Sequence, residues 1–306
     1  MTNRREIPKN FTIDSARPPY TEYKYFDGAK DYPFRPNATV FDLVNAWWMI
    51  ESATLAYSDE DFVKPRFQAV GLEAKFIAKN GSECYVAHND QAVIVAFRGT
   101  ESRGHNEGSA RADFANVVAD VKTDAGIKLV ESGQGGRVHS GFKEALDQVW
   151  KDELAPYLTT LATGGRTFWF TGHSLGAALA TLAADRYGNV AGLYTFGSPR
   201  VGDESFRSDF WVPAYRFLNN DDIVGRVPPP VPYVHVGELK YIDHTGRIHE
   251  NSWWWERVVD QVAGLTASFF NADGKLRIGF QGKLPDAIED HVPILYATHI
   301  WNSLPR

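Results

Sequence analysis

The chain contains a single cysteine, Cys84, among its 306 residues. One cysteine cannot form an intrachain disulfide bond, which is typical of a reducing compartment and still compatible with export. The first ten residues carry charge and no apolar h-region follows them, so no secretory signal peptide is expected. No apolar run approaches the ~18 residues of a membrane-spanning helix. These absences predict a soluble protein and favour a cytoplasmic location, with secretion not excluded.

Excess positive charge is also lacking, since the formal net charge is -6. Without a cluster of Lys and Arg, a nucleic-acid partner is not expected. The nine histidines include no H-E-x-x-H motif, and His244 and His249 have no carboxylates at ligand spacing, so neither a metal nor another cofactor is predicted.

Apolar strand patterns alternate with helical patterns along most of the chain, which predicts an α/β protein with a mostly parallel central sheet covered by helices on both faces. Residues 1–38 show no periodicity and are predicted to form an irregular arm. Residues 39–306 are predicted to be one domain, because no repeat or low-complexity segment divides them. The expected elements are helices over 40–57 and 142–161, strands over 84–88, 92–97, 167–171, 190–196 and 214–218, and a late hairpin over 233–242 with a turn near 245–246.

The most informative motif is the G-x-S-x-G pentapeptide at 172–176. A β-branched and aromatic run precedes it and an alanine-rich helix former follows it, which is the strand-turn-helix context of a nucleophile elbow. Gly172 and Gly176 lack a Cβ and allow strand and helix to pack closely around a strained turn. This context predicts that Ser174 is an exposed nucleophile rather than an ordinary loop serine.

A serine hydroxyl needs a base within hydrogen-bond reach and an acid that orients the base. Asp221 and Asp222 follow a predicted strand, so either could be the acid while the other caps a turn. His249, His291 and His299 lie late enough in the chain to be the base. The residues alone leave these alternatives open.

An oxyanion hole in this type of site uses the backbone N–H of the residue after the nucleophile and another from an earlier strand–helix loop. Leu175 follows Ser174, and Thr100 follows the apolar strand over 92–97. Thr100 could donate both its N–H and its hydroxyl. Leu175 and Thr100 are therefore the predicted donors.

The chain resembles the class 3 lipases, of the same type as the fungal triacylglycerol lipases and with blocks that look like bacterial members. The resemblance extends from about residue 40 to 302, and its blocks appear in the order of the family. They are Ala46-Trp47-Trp48 with Leu55-Ala56-Tyr57, Phe97-Arg98-Gly99-Thr100, Val138-His139-Ser140-Gly141-Phe142, Gly172-His173-Ser174-Leu175-Gly176, Thr195-Phe196-Gly197-Ser198-Pro199-Arg200-Val201-Gly202, Asp222-Ile223-Val224, and Asp290-His291 with Tyr296.

This resemblance implies an α/β-hydrolase fold with Ser174 as nucleophile, Asp222 as triad acid and His291 as general base. It further implies Thr100 and Leu175 as oxyanion donors, and supporting roles for His139 and Arg98. Two departures fall at positions without a chemical role: Gly225 where proline usually follows Ile-Val, and Ala177 where glycine often follows the elbow. The chain also cannot make the disulfides of the fungal relatives.

Two segments are candidates for covering the site. Residues 101–118 correspond to a lid in the lipases that the chain resembles, but Phe114 is the only large apolar residue of the stretch 101–114, where a solvated loop is an equally good interpretation. The insert 250–285 carries an apolar stripe from Trp255 to Phe269 at helical spacing, which is more typical of core than of a cap. Weak apolar character in the lid predicts little activation at a lipid interface.

The sequence therefore predicts a serine carboxylic-ester hydrolase that acts on acyl, lipid-like esters, as triacylglycerol lipases and esterases do. Short-chain carboxylesterase, phospholipase and feruloyl-type esterase are alternatives within the same chemistry. A hydrolase-fold protein that binds lipid or a partner without catalysis is a more distant alternative, marked by loss of a triad member.

Overall fold

An eight-stranded sheet organises the part of the chain that the structure describes. The structure, a computed structural model, describes residues 4–12, 15–16, 18–99, 128–250 and 286–305. Within these ranges the strand order is β1-β2-β3-β6-β7-β8-β9-β10, and β4 and β5 form a separate pair. The strands are Glu73–Lys79 (β1), Ser82–His88 (β2), Ala92–Phe97 (β3), Leu129–Glu131 (β4), Arg137–His139 (β5), Thr167–His173 (β6), Gly192–Phe196 (β7), Ala214–Asn219 (β8), Glu238–Ile242 (β9) and Ile248–Glu250 (β10).

The five strands β3, β6, β7, β8 and β9 pair in parallel. Strands β1, β2 and β10 add to the two sides of this parallel block in antiparallel pairs. Parallel neighbours need crossover connections, which run over the faces of the sheet and carry the helices. The predicted mostly parallel sheet is thus confirmed.

Helices cover both faces of the sheet. They are Leu43–Leu55 (α1), Glu60–Gln68 (α2), Ser140–Val149 (α3), Ala155–Leu161 (α4), Leu175–Tyr187 (α5), Glu204–Asp209 (α6), Asp286–Glu289 (α7) and Pro293–Asn302 (α8). Side chains of a strand point alternately to the two faces. In β3, Val93, Val95 and Phe97 join the core beneath α3 and α5, whereas Ala92, Ile94 and Ala96 join the core beneath α1 and α8.

The helix predicted over 142–161 is divided in the structure. A π-helical turn over Trp150–Leu154 separates α3 from α4. Pro156 lies in the first turn of α4. Because proline has no N–H to donate into the preceding turn, the regular hydrogen-bond pattern cannot run through it. Strand β1 and helix α2 were not predicted from the sequence.

The N-terminal residues lie against the end of the chain without forming a helix or strand in the described parts of 4–38. Arg5 donates its backbone N–H to Asn302 Oδ1 at 2.8 Å and stacks its guanidinium 4.0 Å from the ring centre of Trp301. Its Nη1 also lies 3.1 Å from Oε1 of the buried Glu51 on α1. Phe11 packs with Val292 and with Ile294 and Leu295 of α8. The arm is therefore attached to the segment that follows His291.

Some predictions fall on other parts of the chain. Thr100, the predicted lid 101–118 and the insert 250–285 (apart from Glu250 at the end of β10) lie outside the described residues. Over the ranges that are described, no helix combines the length and the apolar character needed to cross a bilayer.

We expect Phe11→Ala to lower the free energy of unfolding by about 3–5 kcal/mol, because a buried aromatic ring leaves a cavity when it is truncated. Chemical denaturation monitored by tryptophan fluorescence measures this loss. Trp211→Ala is the matched control, since Trp211 is an aromatic residue that is 73% exposed. Equal stability of the two variants would show that the arm does not contribute to the core.

Candidate active site

The turn between β6 and α5 has the strained geometry of a nucleophile elbow. Ser174 has φ 59° and ψ -130°, a conformation that is costly for a residue with a side chain. A Cβ on Gly172 would overlap the Gly176 carbonyl, and a Cβ on Gly176 would overlap the carbonyl of Phe97 at the end of β3. Only glycine fits at these two positions, so the predicted close approach of strand and helix is confirmed.

Ser174 itself is 5% exposed, so the expectation of an exposed hydroxyl is wrong for this structure. Its backbone extends the central sheet by one residue. The Ser174 N–H donates to Phe196 O at 3.0 Å, which continues the β6–β7 pairing past the end of β6.

Asp222 lies three residues after β8 and has no exposed surface. Its carboxylate accepts hydrogen bonds from Val224 N at 2.8 Å and from Tyr296 Oη at 2.5 Å. It also lies 2.8 and 2.9 Å from Nδ1 of His291. Burial raises the pKa of Asp222, but His291 and the hydrogen bond from Tyr296 outweigh it, so the net pKa is lowered and the carboxylate stays ionised.

His291 follows the short helix α7 and is buried. Because the carboxylate of Asp222 accepts and does not donate, Nδ1 of His291 carries the proton of the neutral ring. Nε2 then has no proton in the neutral imidazole and can act as a base. The structure thus brings Asp222 and His291 together in the relation that orients a general base.

Gly197, at the end of β7, makes room for this pair. Its φ is +55°, and a Cβ built on it would lie 2.6 Å from Asp222 Oδ2 and 2.8 Å from His291 Nδ1. Any larger residue would enter the hydrogen bond between Asp222 and His291. Ser174, Gly197 and Asp222 follow the neighbouring strands β6, β7 and β8, so all three lie at the carboxyl edge of the sheet.

His173 connects the elbow to the His291 segment. Its Nε2 lies 2.7 Å from the His291 carbonyl oxygen, and its Nδ1 lies 2.8 Å from Tyr57 Oη. A carbonyl only accepts, so Nε2 of His173 carries the proton and Nδ1 accepts from the tyrosine hydroxyl. Burial, followed by the repulsion of His291, holds the pKa of His173 well below its usual value, and the ring is neutral.

The predicted oxyanion donors are described in part. Leu175 is the first residue of α5, where the backbone N–H groups of a helix have no partner within the helix. Thr100 is not described, but its neighbour Gly99 lies so close to the elbow that a Cβ would be 2.8 Å from the His173 carbonyl. A cavity of about 470 Å³ opens beside Leu175 and is also lined by Gly99, Arg98 and Leu179.

The supporting residues implied by the resemblance lie near the ends of β3 and β5. Arg98 Nη1 pairs with Glu83 Oε2 at 2.7 Å. His139 is buried and stacks on Phe142 with ring centres 4.2 Å apart. Neither of its ring nitrogens has a hydrogen-bond partner among the described residues. Burial lowers the pKa of His139 to about 4, so this histidine is neutral and serves as an aromatic packing residue.

The alternative acid and bases have other contacts. The Asp221 carboxylate pairs with Arg226 at 2.6 Å and is largely exposed. His249 Nε2 lies 2.7 Å from Asp243 Oδ2 in the β9–β10 hairpin. His299 lies on α8, with its ring beside Gly246 of the same hairpin. The structure therefore joins Asp222 to His291, and not to these alternatives.

Sequence analysis did not assign roles to Tyr57 and Tyr296, although both stood in the blocks that carry the resemblance. Tyr296 Oη donates to Asp222 and accepts from Asn219 N at 3.0 Å, which ties α8 to the end of β8. Burial, with the nearby Asp222 charge, raises the pKa of Tyr296 well above its usual value, so the hydroxyl remains a donor.

The fold is that of α/β-hydrolase lipases. The structure of a Rhizomucor miehei lipase propeptide complex is similar over 66% of this chain and 68% of that chain, with a TM-score of 0.53 and 25% identity. A structure described as a fungal lipase covers 83% of this chain and 95% of its own, with a TM-score of 0.55. At 20% identity the second likeness concerns the fold alone.

Residues 94–231 match the family model of Lipase (class 3), so this part of the chain is similar to that family. A secreted mono- and diacylglycerol lipase from Fusarium solani is 39% identical over 176 residues, covering 54% of this chain and 49% of that protein. A lipase from Rhizomucor miehei is 36% identical over 167 residues, covering 50% of this chain and 42% of its own length. The chain thus spans about half the length of these relatives, or less.

We expect Gly197→Ala to lower ester hydrolysis at least tenfold, because the methyl group would separate Asp222 from His291. Measuring kcat for the parent protein and the variant on a soluble ester tests this expectation. Gly71→Ala is the matched control: Gly71 has φ +78°, but a Cβ there meets nothing within 4 Å. Both variants carry the backbone cost of a left-handed residue, about 1–3 kcal/mol. Similar activity in the two would contradict the steric role of Gly197.

Proposed function

We propose that this protein hydrolyses carboxylic esters of lipid-like acyl groups through a Ser174–His291–Asp222 triad. The buried hydrogen bond between Asp222 and His291 Nδ1, at 2.8 Å, carries this proposal. A buried carboxylate is costly unless it is paired and hydrogen-bonded. A buried carboxylate that holds Nδ1 of a histidine is the arrangement that general base catalysis by a triad requires.

In the first half of the reaction, Nε2 of His291 accepts the proton of Ser174 Oγ as this oxygen attacks the ester carbonyl. Asp222 stabilises the imidazolium that forms. Backbone N–H groups of Leu175 and Thr100 would hold the oxyanion, and each such donor contributes on the order of 3 kcal/mol to lowering the barrier. The imidazolium then protonates the leaving alcohol, which breaks the ester bond and leaves Ser174 acylated.

Water completes the cycle by the same steps in reverse. His291 removes a proton from water, the hydroxide attacks the acyl carbonyl, and the second oxyanion collapses with return of the proton to Ser174. The carboxylic acid is released and the enzyme is restored. Every proton is handled by His291 alone, so the proposed mechanism requires no cofactor.

Acylglycerols are the substrate class that we propose. The names of the Fusarium solani and Rhizomucor miehei relatives support this class. Another relative is named a phospholipase A(1), so phospholipid is the comparison substrate for the test below. The Fusarium solani relative is named a secreted lipase, which does not favour the cytoplasmic location expected for this chain.

Ser174→Ala should abolish hydrolysis of p-nitrophenyl esters, with a loss of several orders of magnitude in kcat and almost unchanged thermal stability. Asp222→Asn should cost on the order of 10³–10⁴-fold, because the amide favours the wrong tautomer of His291. His291→Ala should be inactive. Purified variants and initial rates measure all three effects.

Asp221→Asn and His299→Ala are the matched controls, since each changes a residue of the same type whose side chain has its described contacts elsewhere, with Arg226 and beside Gly246 respectively. Both should keep most of the activity. Turnover by Ser174→Ala would remove Ser174 from the nucleophile role. A larger loss in Asp221→Asn than in Asp222→Asn would shift the acid by one position.

Substrate preference is tested by rates on p-nitrophenyl esters of increasing chain length, on mono-, di- and triacylglycerols, and on phosphatidylcholine. We expect hydrolysis of short- to medium-chain esters and of acylglycerols, with little on phosphatidylcholine. We also expect no sharp rate increase as tributyrin passes from solution to emulsion, because the predicted lid has little apolar surface. A sigmoidal jump at the solubility limit would instead indicate interfacial activation.

A further inference from the structure

Four consecutive residues at the end of β8 bind to the dipeptide Asp290-His291. Asn219 donates its side-chain N–H to the Asp290 carbonyl at 3.0 Å. Asn220 Nδ2 and the backbone N–H of Asp221 both donate to Oδ2 of Asp290, at 3.0 and 3.1 Å. Asp222 accepts from His291 Nδ1. The loop that carries the acid is thus attached to the segment that carries the base.

The loop that carries Asp222 and the segment that carries His291 are not adjacent in the sequence. They are about 70 residues apart, separated by β9, β10 and residues 251–285. The distance between Asp222 and His291 therefore depends on noncovalent contacts. We call residues 219–222 the acid loop. Among its described contacts, Oδ2 of Asp290 is the one oxygen that accepts two hydrogen bonds from this loop.

The position of Asp290 is a costly one for a carboxylate. Burial, with the charges of Asp222 and Asp221, raises the pKa of Asp290 to about 7, in spite of its two hydrogen bonds. Asn220 in turn has φ 39°, a left-handed conformation that favours glycine. An asparagine there contributes the side-chain N–H that glycine lacks. The hydrogen bond from Asn220 to Asp290 thus accounts for the presence of both side chains.

We propose that Asp290 is a positioning residue that fixes the loop carrying Asp222 relative to His291 by accepting hydrogen bonds from Asn220 and Asp221. The inference rests on the proposed function, in which Asp222 and His291 act together. Asp290 touches no reacting atom. Its role is to keep Asp222 and His291 at the correct separation, because a misplacement of about 1 Å would impair catalysis.

Three variants test the proposal in the full-length protein. Asp290→Ala removes both hydrogen bonds and should lower kcat about tenfold, with KM for a soluble ester within about twofold of the parent. Asp290→Asn keeps an amide oxygen in the place of Oδ2 and should restore most of kcat. Asp286→Ala is the matched control, since its exposed side chain lies four residues earlier and should leave kcat unchanged.

Asn220→Gly tests the same contact from the other side and separates its loss from misfolding. Glycine suits the left-handed backbone, and this gain offsets the entropy that glycine adds to the unfolded chain, so the protein should remain folded. Loss of the side-chain donor should nevertheless lower kcat several-fold. In a double-mutant cycle, Asn220→Gly and Asp290→Ala should be less than additive, because they remove the same hydrogen bond.

A readout independent of turnover is the low-field proton NMR signal of His291 Nδ1–H in its hydrogen bond to Asp222. It should be weakened or lost in Asp290→Ala and retained in Asp290→Asn and in Ser174→Ala. Failure of the proposed function would appear as turnover by Ser174→Ala, whatever this signal does. An unchanged signal and unchanged kcat in Asp290→Ala, or equal losses in Asp290→Ala and Asp290→Asn, would overturn the positioning role.

Discussion

The arrangement at the carboxyl edge of the sheet depends on one buried charge, the carboxylate of Asp222. With no exposed surface, this group can remain ionised only if its oxygens are hydrogen-bonded from several directions. His291, Tyr296 and the backbone N–H of Val224 supply those bonds from three different parts of the chain. The need to satisfy one carboxylate therefore brings the end of β8, the turn before α8 and α8 itself to one point.

Parallel strands decide where the remaining groups lie. Because β6, β7 and β8 are neighbours with the same direction, the residues that follow them meet at one edge. Ser174 and Asp222 contribute side chains there. Gly197, between them, has no side chain and so leaves space for the contact between Asp222 and His291. The glycines around the elbow serve the same purpose, since backbone must touch backbone where β3, β6 and α5 meet. The site thus requires glycines at its close contacts as well as the polar side chains of Ser174, Asp222 and His291.

Local patterns were sufficient to predict β3, β6, β7, β8 and the elbow, because apolar runs and the G-x-S-x-G spacing are short-range signals. They could not choose between Asp221 and Asp222, or among three histidines, since that choice depends on contacts across about 70 residues. The resemblance supplied Asp222 and His291, and these are the two that lie in contact. Burial of Ser174 and the use of Tyr296 as a donor arise from tertiary packing, which residue spacing does not encode. The break between α3 and α4 has a local cause in Pro156, which the apolar pattern over 142–161 does not reveal.

The two ends of the described chain meet at the segment that follows His291. Phe11 packs on Val292, the residue after His291, and Arg5 reaches Asn302 and Trp301 near the end of α8. On the opposite side, His173 donates to the His291 carbonyl and Asp290 accepts from the acid loop. His291 lies on the short turn between α7 and α8, outside both helices. Its position is therefore set by contacts from the arm, the elbow and the acid loop together, and catalysis by this fold would depend on residues that touch no substrate.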